Sequence, residues 1–125
     1  MSKNLTLYLI RHGQTEWNVQ GLMQGWGDSP LTAQGVHDAR LTGLALRDVP
    51  FIAAYSSCLM RAIDTARHIL YGRSAYVPLF QHIGLNEQHF GNWEGRKVAD
   101  IRATAEFQQL INVPANYRAA TNGGE

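Results

Sequence analysis

Leu5-Thr-Leu-Tyr-Leu-Ile10 alternates apolar and β-favouring residues and then stops at Arg11-His12-Gly13. The period of two predicts a buried strand over residues 5–10. A strand ending in a cation, an imidazole and a glycine narrows the fold, because in open sheets of parallel strands the ligand sits beyond the carboxyl ends. A sheet would fix the aim of the imidazole, and the glycine lets the main chain turn close to a bound group. The arginine supplies a planar fork of donors that suits a phosphate. The same tripeptide also fits a histidine satisfied by core hydrogen bonds beside a surface arginine.

Residues 14–31 read as a loop with a helical turn around residues 15–20. Thr32 is a fitting N-cap for a helix to about residue 47, with Val36, Ala39, Gly43 and Leu46 near one-turn spacing. Asp48-Val-Pro50 ends it, and residues 51–56 read as a second strand. Ser57 is the expected cap of a second helix, whose apolar stripe is Leu59, Ala62, Ile63, Ala66, Ile69 and Leu70. A third strand over 76–80 is weakened by Pro78. A long loop over 86–95, a helix over about 97–111 and an irregular close complete the chain. Strand and helix alternating three times predicts a three-layer α/β/α fold with a mainly parallel sheet. Both Arg11-His12-Gly13 and Ser56-Ser57 fall at strand ends.

Composition removes several alternatives. The chain has 125 residues, 45% hydrophobic and 17% charged, which suits one globular domain. Its 11 basic and 10 acidic residues are scattered, so no basic track or stripe predicts a nucleic acid or a membrane as partner. No run approaches the ~18 apolar residues of a membrane span, and the first residues do not read as a signal peptide. One cysteine, Cys58, cannot form an internal disulfide, which fits a reducing cytoplasm and excludes a cysteine-rich zinc framework.

Three further constellations can carry chemistry. Asn18 and Thr15 follow His12 in a loop, where each could donate to an anion or simply cap a turn. Arg61, near the start of a helix, is mildly unfavourable there unless something negative neutralises it. The loop Gly84-Leu-Asn-Glu-Gln-His-Phe-Gly-Asn-Trp-Glu-Gly95 offers two carboxylates. Glu87, between Leu85 and Phe90, is a candidate for the desolvation that keeps a carboxyl protonated, and Glu94 is an equal candidate. His12, His37, His68, His82 and His89 form no pair at ligand spacing with a carboxylate, so no metal site is expected.

Four blocks taken in order resemble the histidine phosphatase (phosphoglycerate mutase-like) superfamily. They are Arg11-His-Gly-Gln-Thr-Glu-Trp-Asn18, Asp28-Ser-Pro-Leu-Thr-Ala-Gln-Gly35, Tyr55-Ser-Ser-Cys-Leu-Met-Arg-Ala62 with Thr65-Ala66, and Leu85-Asn-Glu-Gln-His-Phe-Gly-Asn-Trp-Glu-Gly95. The resemblance implies that His12 is a nucleophile that takes a phosphoryl group, and that Glu87 is the acid. It implies that Arg11, Arg61 and Asn18 hold the phosphoryl oxygens and that Gln24 and Gly25 contact the substrate; no cofactor is expected. It also implies a second phosphate-pocket histidine in a Ser-His-Gly-like block, which does not follow His89. Residues 1–125 are therefore expected to be the N-terminal portion of a single such domain, an incomplete fold of weak activity, with a homodimer formed through an uncovered sheet edge. The short stretch after the acid favours a phosphatase, similar to broad-specificity or alpha-ribazole phosphatases, acting on small phosphorylated metabolites. A phosphoglycerate mutase and a catalytically impaired phosphate-binding module are the alternatives.

Overall fold

The computed structural model describes residues 3–125. Thr32 caps α2 as expected: its hydroxyl accepts from the Gly35 amide at 3.0 Å, and the helix runs Ala33–Ala45. It packs on α3 (Met60–Leu70), burying Ala39 and Gly43 on one side and Ile63 and Ile69 on the other. Ahead of them, α1 is a short helix, Glu16–Gln20, closed at its start by a capping box between Thr15 and Asn18. The predicted cap of α3 shifts by two residues, because Leu59 is the N-cap and the Ser57 hydroxyl accepts from the Leu59 amide, at 3.3 Å.

The sheet is parallel, and among the described residues it has two strands, β1 (Ala54–Ser56) and β2 (Leu79–Gln81), joined through α3. Ala54 pairs with Leu79, Tyr55 with Phe80 and Ser56 with Gln81. The Tyr55 and Phe80 rings lie 5.4 Å apart, a cross-strand contact that supports this register. Both strands are shorter than the sequence suggests, and β2 begins after Pro78, the residue that cannot donate to a ladder.

The strand predicted over residues 5–10 is not one. The segment is free of helix and ladder, and Leu5, Leu7 and Leu9 are 77%, 70% and 91% exposed rather than buried. A strand exists only through a neighbour, and the backbone of residues 3–11 forms no backbone hydrogen bond among the described residues. The segment instead walls one side of a cavity whose other side is β1. Tyr8 tethers it by an edge-on contact with Phe51, at 5.2 Å between rings.

A second core gathers the rest of the chain. Trp93, Ile101 and Tyr117 are buried together, with Met23, Phe90, Phe107 and Leu110 packed around them. The helix expected over 97–111 is split into α4 (Val98–Ile101) and α5 (Ala105–Asn112). Thr104 causes the break: its hydroxyl donates to the Ile101 carbonyl at 2.8 Å and accepts from the Phe107 amide, ending one helix and capping the next. The closing residues are irregular, as expected, yet Asn122 is buried and donates to the Tyr117 hydroxyl at 2.8 Å.

Candidate active site

His12 is mounted by two helices rather than by a sheet. The Gly13 amide donates to the Thr65 hydroxyl at 2.9 Å, and that hydroxyl donates to the Arg61 carbonyl at 2.6 Å, so α3 holds the turn. From the other side α2 presses on it: a Cβ on Gly13 would meet the Gly35 carbonyl oxygen at 2.8 Å, which only glycine avoids. Thr65, which the sequence marks only as part of a block, is the link that fixes the imidazole to α3.

The His12 Nδ1 lies 2.7 Å from the Gly13 carbonyl oxygen. A carbonyl only accepts, so Nδ1 carries the proton, and in the neutral ring Nε2 keeps its lone pair. Nε2 has no hydrogen-bond partner among the described residues. Burial lowers the His12 pKa below its ordinary 6.5, and the charges of Arg61 and Arg11 lower it further, against the Gly13 hydrogen bond and Glu87, which raise it. The net effect favours the neutral, nucleophilic ring.

Arg61 is 3% exposed, and its guanidinium is held by the chain segment that crosses it. It donates to the Gly25 carbonyl at 2.5 Å, to the Gly27 carbonyl at 2.7 Å and to Asp28 Oδ1 at 3.3 Å. The other Asp28 oxygen accepts from the Met60 amide at 2.6 Å, at the start of α3. Asp28 thus supplies the negative charge that an arginine at a helix start calls for, and it caps the helix in place of Ser57. The need was legible in sequence; its answer lies more than thirty residues away.

His12, Arg11, Arg61 and Glu87 all line one cavity of about 1040 Å³, together with Ser57 and His82. Its apolar side includes Ala62 and Ala66 of α3, part of the stripe expected to be core. His82 stands at the carboxyl end of β2, and its Nδ1 accepts from the Gly84 amide at 2.9 Å. Its sequence context gives it no role, although it ends a strand as the sequence predicts for His12. Glu87 is exposed, so the desolvation anticipated from Leu85 and Phe90 does not occur. Glu94 does not line the cavity; its oxygens accept from three backbone amides, Trp26 at 2.7 Å, Gly27 at 3.0 Å and Phe90 at 3.2 Å.

Four other sequence candidates stand outside the cavity lining. Asn18 is exposed, and its Oδ1 accepts from the Thr15 amide at 2.9 Å, completing the α1 cap. Thr15 is the other half of that cap. Gln24 is buried, and its Oε1 accepts from the hydroxyls of Thr15 at 3.0 Å and Ser29 at 2.9 Å, bracing the loop. Gly25 sits at φ +56° beneath Glu94, and its carbonyl serves Arg61.

Comparison with known proteins places the chain in a family. The model of the histidine phosphatase superfamily (branch 1) matches residues 7–125. A 2,3-bisphosphoglycerate-dependent phosphoglycerate mutase of Cytophaga hutchinsonii is 39% identical over 119 residues, which are 95% of this chain and 56% of that protein. The solved structure of YhfR from Bacillus stearothermophilus is similar over 92% of this chain and 56% of its own, with 41% identity and a TM-score of 0.81. A putative alpha-ribazole-5'-P phosphatase from Escherichia coli is similar over 93% and 56%, with 35% identity and a TM-score of 0.77. The chain therefore spans about half the length of the proteins it matches, and its fold is phosphoglycerate mutase-like. With four sequence blocks, the fold and the family model in agreement, the chain belongs to the histidine phosphatase superfamily (branch 1).

Proposed function

We propose that the site accepts a phosphoryl group on His12 Nε2 and that the domain to which the chain belongs is a phosphomonoester hydrolase for small phosphorylated metabolites. The observation that carries this reading is the tautomer: Nδ1 is tied to the Gly13 carbonyl at 2.7 Å, and the free nitrogen belongs to a residue lining the same cavity as Arg61 and Arg11. In the first step the Nε2 lone pair forms a bond to phosphorus as the bond to the leaving oxygen breaks, and Glu87 gives that oxygen a proton. In the second, Glu87 takes a proton from water, the water oxygen bonds to phosphorus and the N–P bond breaks, releasing phosphate and the free imidazole. Arg61 and Arg11 stabilise charge on the transferring group, the dominant contribution in phosphoryl transfer. Asn18, Gln24 and Gly25 enter this reading as candidates for closing on a bound substrate from the loop beside the cavity.

The likeness to the putative alpha-ribazole-5'-P phosphatase supports hydrolysis. A mutase is the second reading, favoured by the Cytophaga relative. Both share the first step and differ in whether water or a second phosphate acceptor takes the group. Incubation with a 32P-labelled phosphomonoester, followed by an alkaline quench, is expected to leave acid-labile label on the chain and none on His12→Ala. Discharge of the label by water alone supports the hydrolase, and discharge only on adding 3-phosphoglycerate supports the mutase. Equal label on His12→Ala removes both readings.

A further inference from the structure

The turn over residues 25–28 is held from both sides. Its amides point to one carboxylate: Trp26 and Gly27 donate to Glu94 at 2.7 and 3.0 Å, and Glu94 also draws in the Phe90 amide at 3.2 Å. Its carbonyls point the opposite way, those of Gly25 and Gly27 taking the Arg61 guanidinium at 2.5 and 2.7 Å. From the same turn the Trp26 indole N–H donates to the Glu87 carbonyl at 2.7 Å. A Cβ on Gly25 would collide with Glu94 Oε1, so carboxylate and turn are in close contact. One carboxylate thus orders the strip of backbone to which both Arg61 and Glu87 are fastened.

We propose that Glu94 is the positioning residue of this site. It acts through the 25–28 turn, setting the Arg61 guanidinium against His12 and, by way of Trp26, setting the loop that carries Glu87. The physical basis is a relay of peptide groups. An amide whose N–H is fixed by a carboxylate has its plane fixed too, and the aim of the flanking carbonyls follows. A buried arginine is directed by whatever accepts from it, and here two of its three acceptors are carbonyls of this turn. Glu94 touches neither substrate nor the reacting atoms in this account. The proposal rests on reading His12 and Arg61 as a phosphoryl site, and its test is arranged so that the two can fail separately.

Glu94→Gln keeps the shape of the side chain but replaces one acceptor oxygen by a donor, so one side of the turn loses its hold. Two measurements on the full chain read the result: the titration of His12 by NMR and the affinity for inorganic phosphate. The groups charged toward His12 are Arg61, Arg11 and Glu87. Misplacing Arg61 removes a cation that holds the titration down, so the His12 midpoint rises toward 6.5, and phosphate binds about tenfold more weakly, as for one lost charge-assisted contact. The Ile101 and Tyr117 resonances of the second core are expected to stay as in the parent. A folded Glu94→Gln chain with the parental His12 midpoint and the parental phosphate affinity overturns the proposal.

Should Glu94→Gln not fold, Trp26→Phe decides. It removes the indole donor and shortens the ring that meets His89 edge-on at 5.0 Å, and is expected to shift the Glu87 and Gln88 amide signals while phosphate affinity is kept; no shift there overturns the proposal. Failure of the phosphoryl reading shows elsewhere, as a parent chain that binds no phosphate. In that case a raised His12 midpoint in Glu94→Gln still supports the positioning role.

Discussion

At the scale of single residues, the chemistry depends on which His12 nitrogen is bare and on whether the ring is neutral. Burial, then Arg61 and Arg11, lower its pKa from 6.5. Phosphoryl transfer to His12 is therefore expected to be pH-independent above about 6.5 as far as this ring is concerned, and to fall only as pH drops through the lowered value. A profile of label incorporation against pH checks this, and an acid limb centred above 6.5 contradicts it. The same shift bears on stability. The unfolded ring takes a proton at about 6.5 and the folded ring only lower, so this contribution to stability is full above about 6.5 and is lost as pH falls through the folded value. Arg11 is exposed, so Arg11→Ala is expected to fold normally and to slow transfer to His12 about 100-fold, the usual order for one lost electrostatic donor. Single-turnover labelling measures it.

Among the elements, α3 carries the most. It supplies Arg61, pins Gly13 through Thr65, and receives Asp28 at its first amide. Asp28→Asn keeps an acceptor for the Met60 amide but removes the charge facing Arg61. It is expected to destabilise the fold by about 1–2 kcal/mol, the range for a cap or a charged hydrogen bond, in urea unfolding. Ile101, 1% exposed at the end of α4, anchors the other core. Ile101→Ala is expected to cost about 2–5 kcal/mol in the same measurement.

Much at this scale was legible in sequence. Thr32 as a cap, the apolar residues of α2 and α3, and a parallel pairing of two short strands follow from local chemistry that tertiary contacts reinforce. Two of the differences turn on a distant partner and one on a local competition. Residues 5–10 have the pattern of a strand without a neighbour to pair with, and α3 is capped by Asp28 rather than by the nearer Ser57. Thr104 split a helix because its hydroxyl competed for backbone groups, a choice that periodicity does not reveal. Of the cavity lining, His12, Arg11, Arg61 and Glu87 stand out in sequence because they are chemically unusual at their positions. Glu94, by contrast, looked like a second candidate acid until its three amide partners were seen.

For the whole molecule, one wall of the cavity is an apolar segment whose backbone joins no ladder among the described residues, and such an edge invites pairing with another chain. The 125-residue chain is expected to self-associate with rising concentration, and Leu7→Lys combined with Leu9→Lys to reduce it. Sedimentation equilibrium measures both, and a parent chain that stays monomeric at high concentration contradicts the expectation. The cavity itself, at about 1040 Å³, is at the upper end of what small-molecule sites enclose. On the proposed function it has room for a small phosphorylated substrate beside His12 and Arg61.

The central claim is that the free nitrogen of His12 and the guanidinium of Arg61 form one seat for a phosphoryl group. Titration of inorganic phosphate into chain labelled with 15N at histidine and arginine tests it most directly. The account predicts that His12 Nε2 is unprotonated in the free chain, and that its signal and those of Arg61 move together with a single Kd. A proton on Nε2, or phosphate shifts at one residue that leave the other untouched, would contradict it.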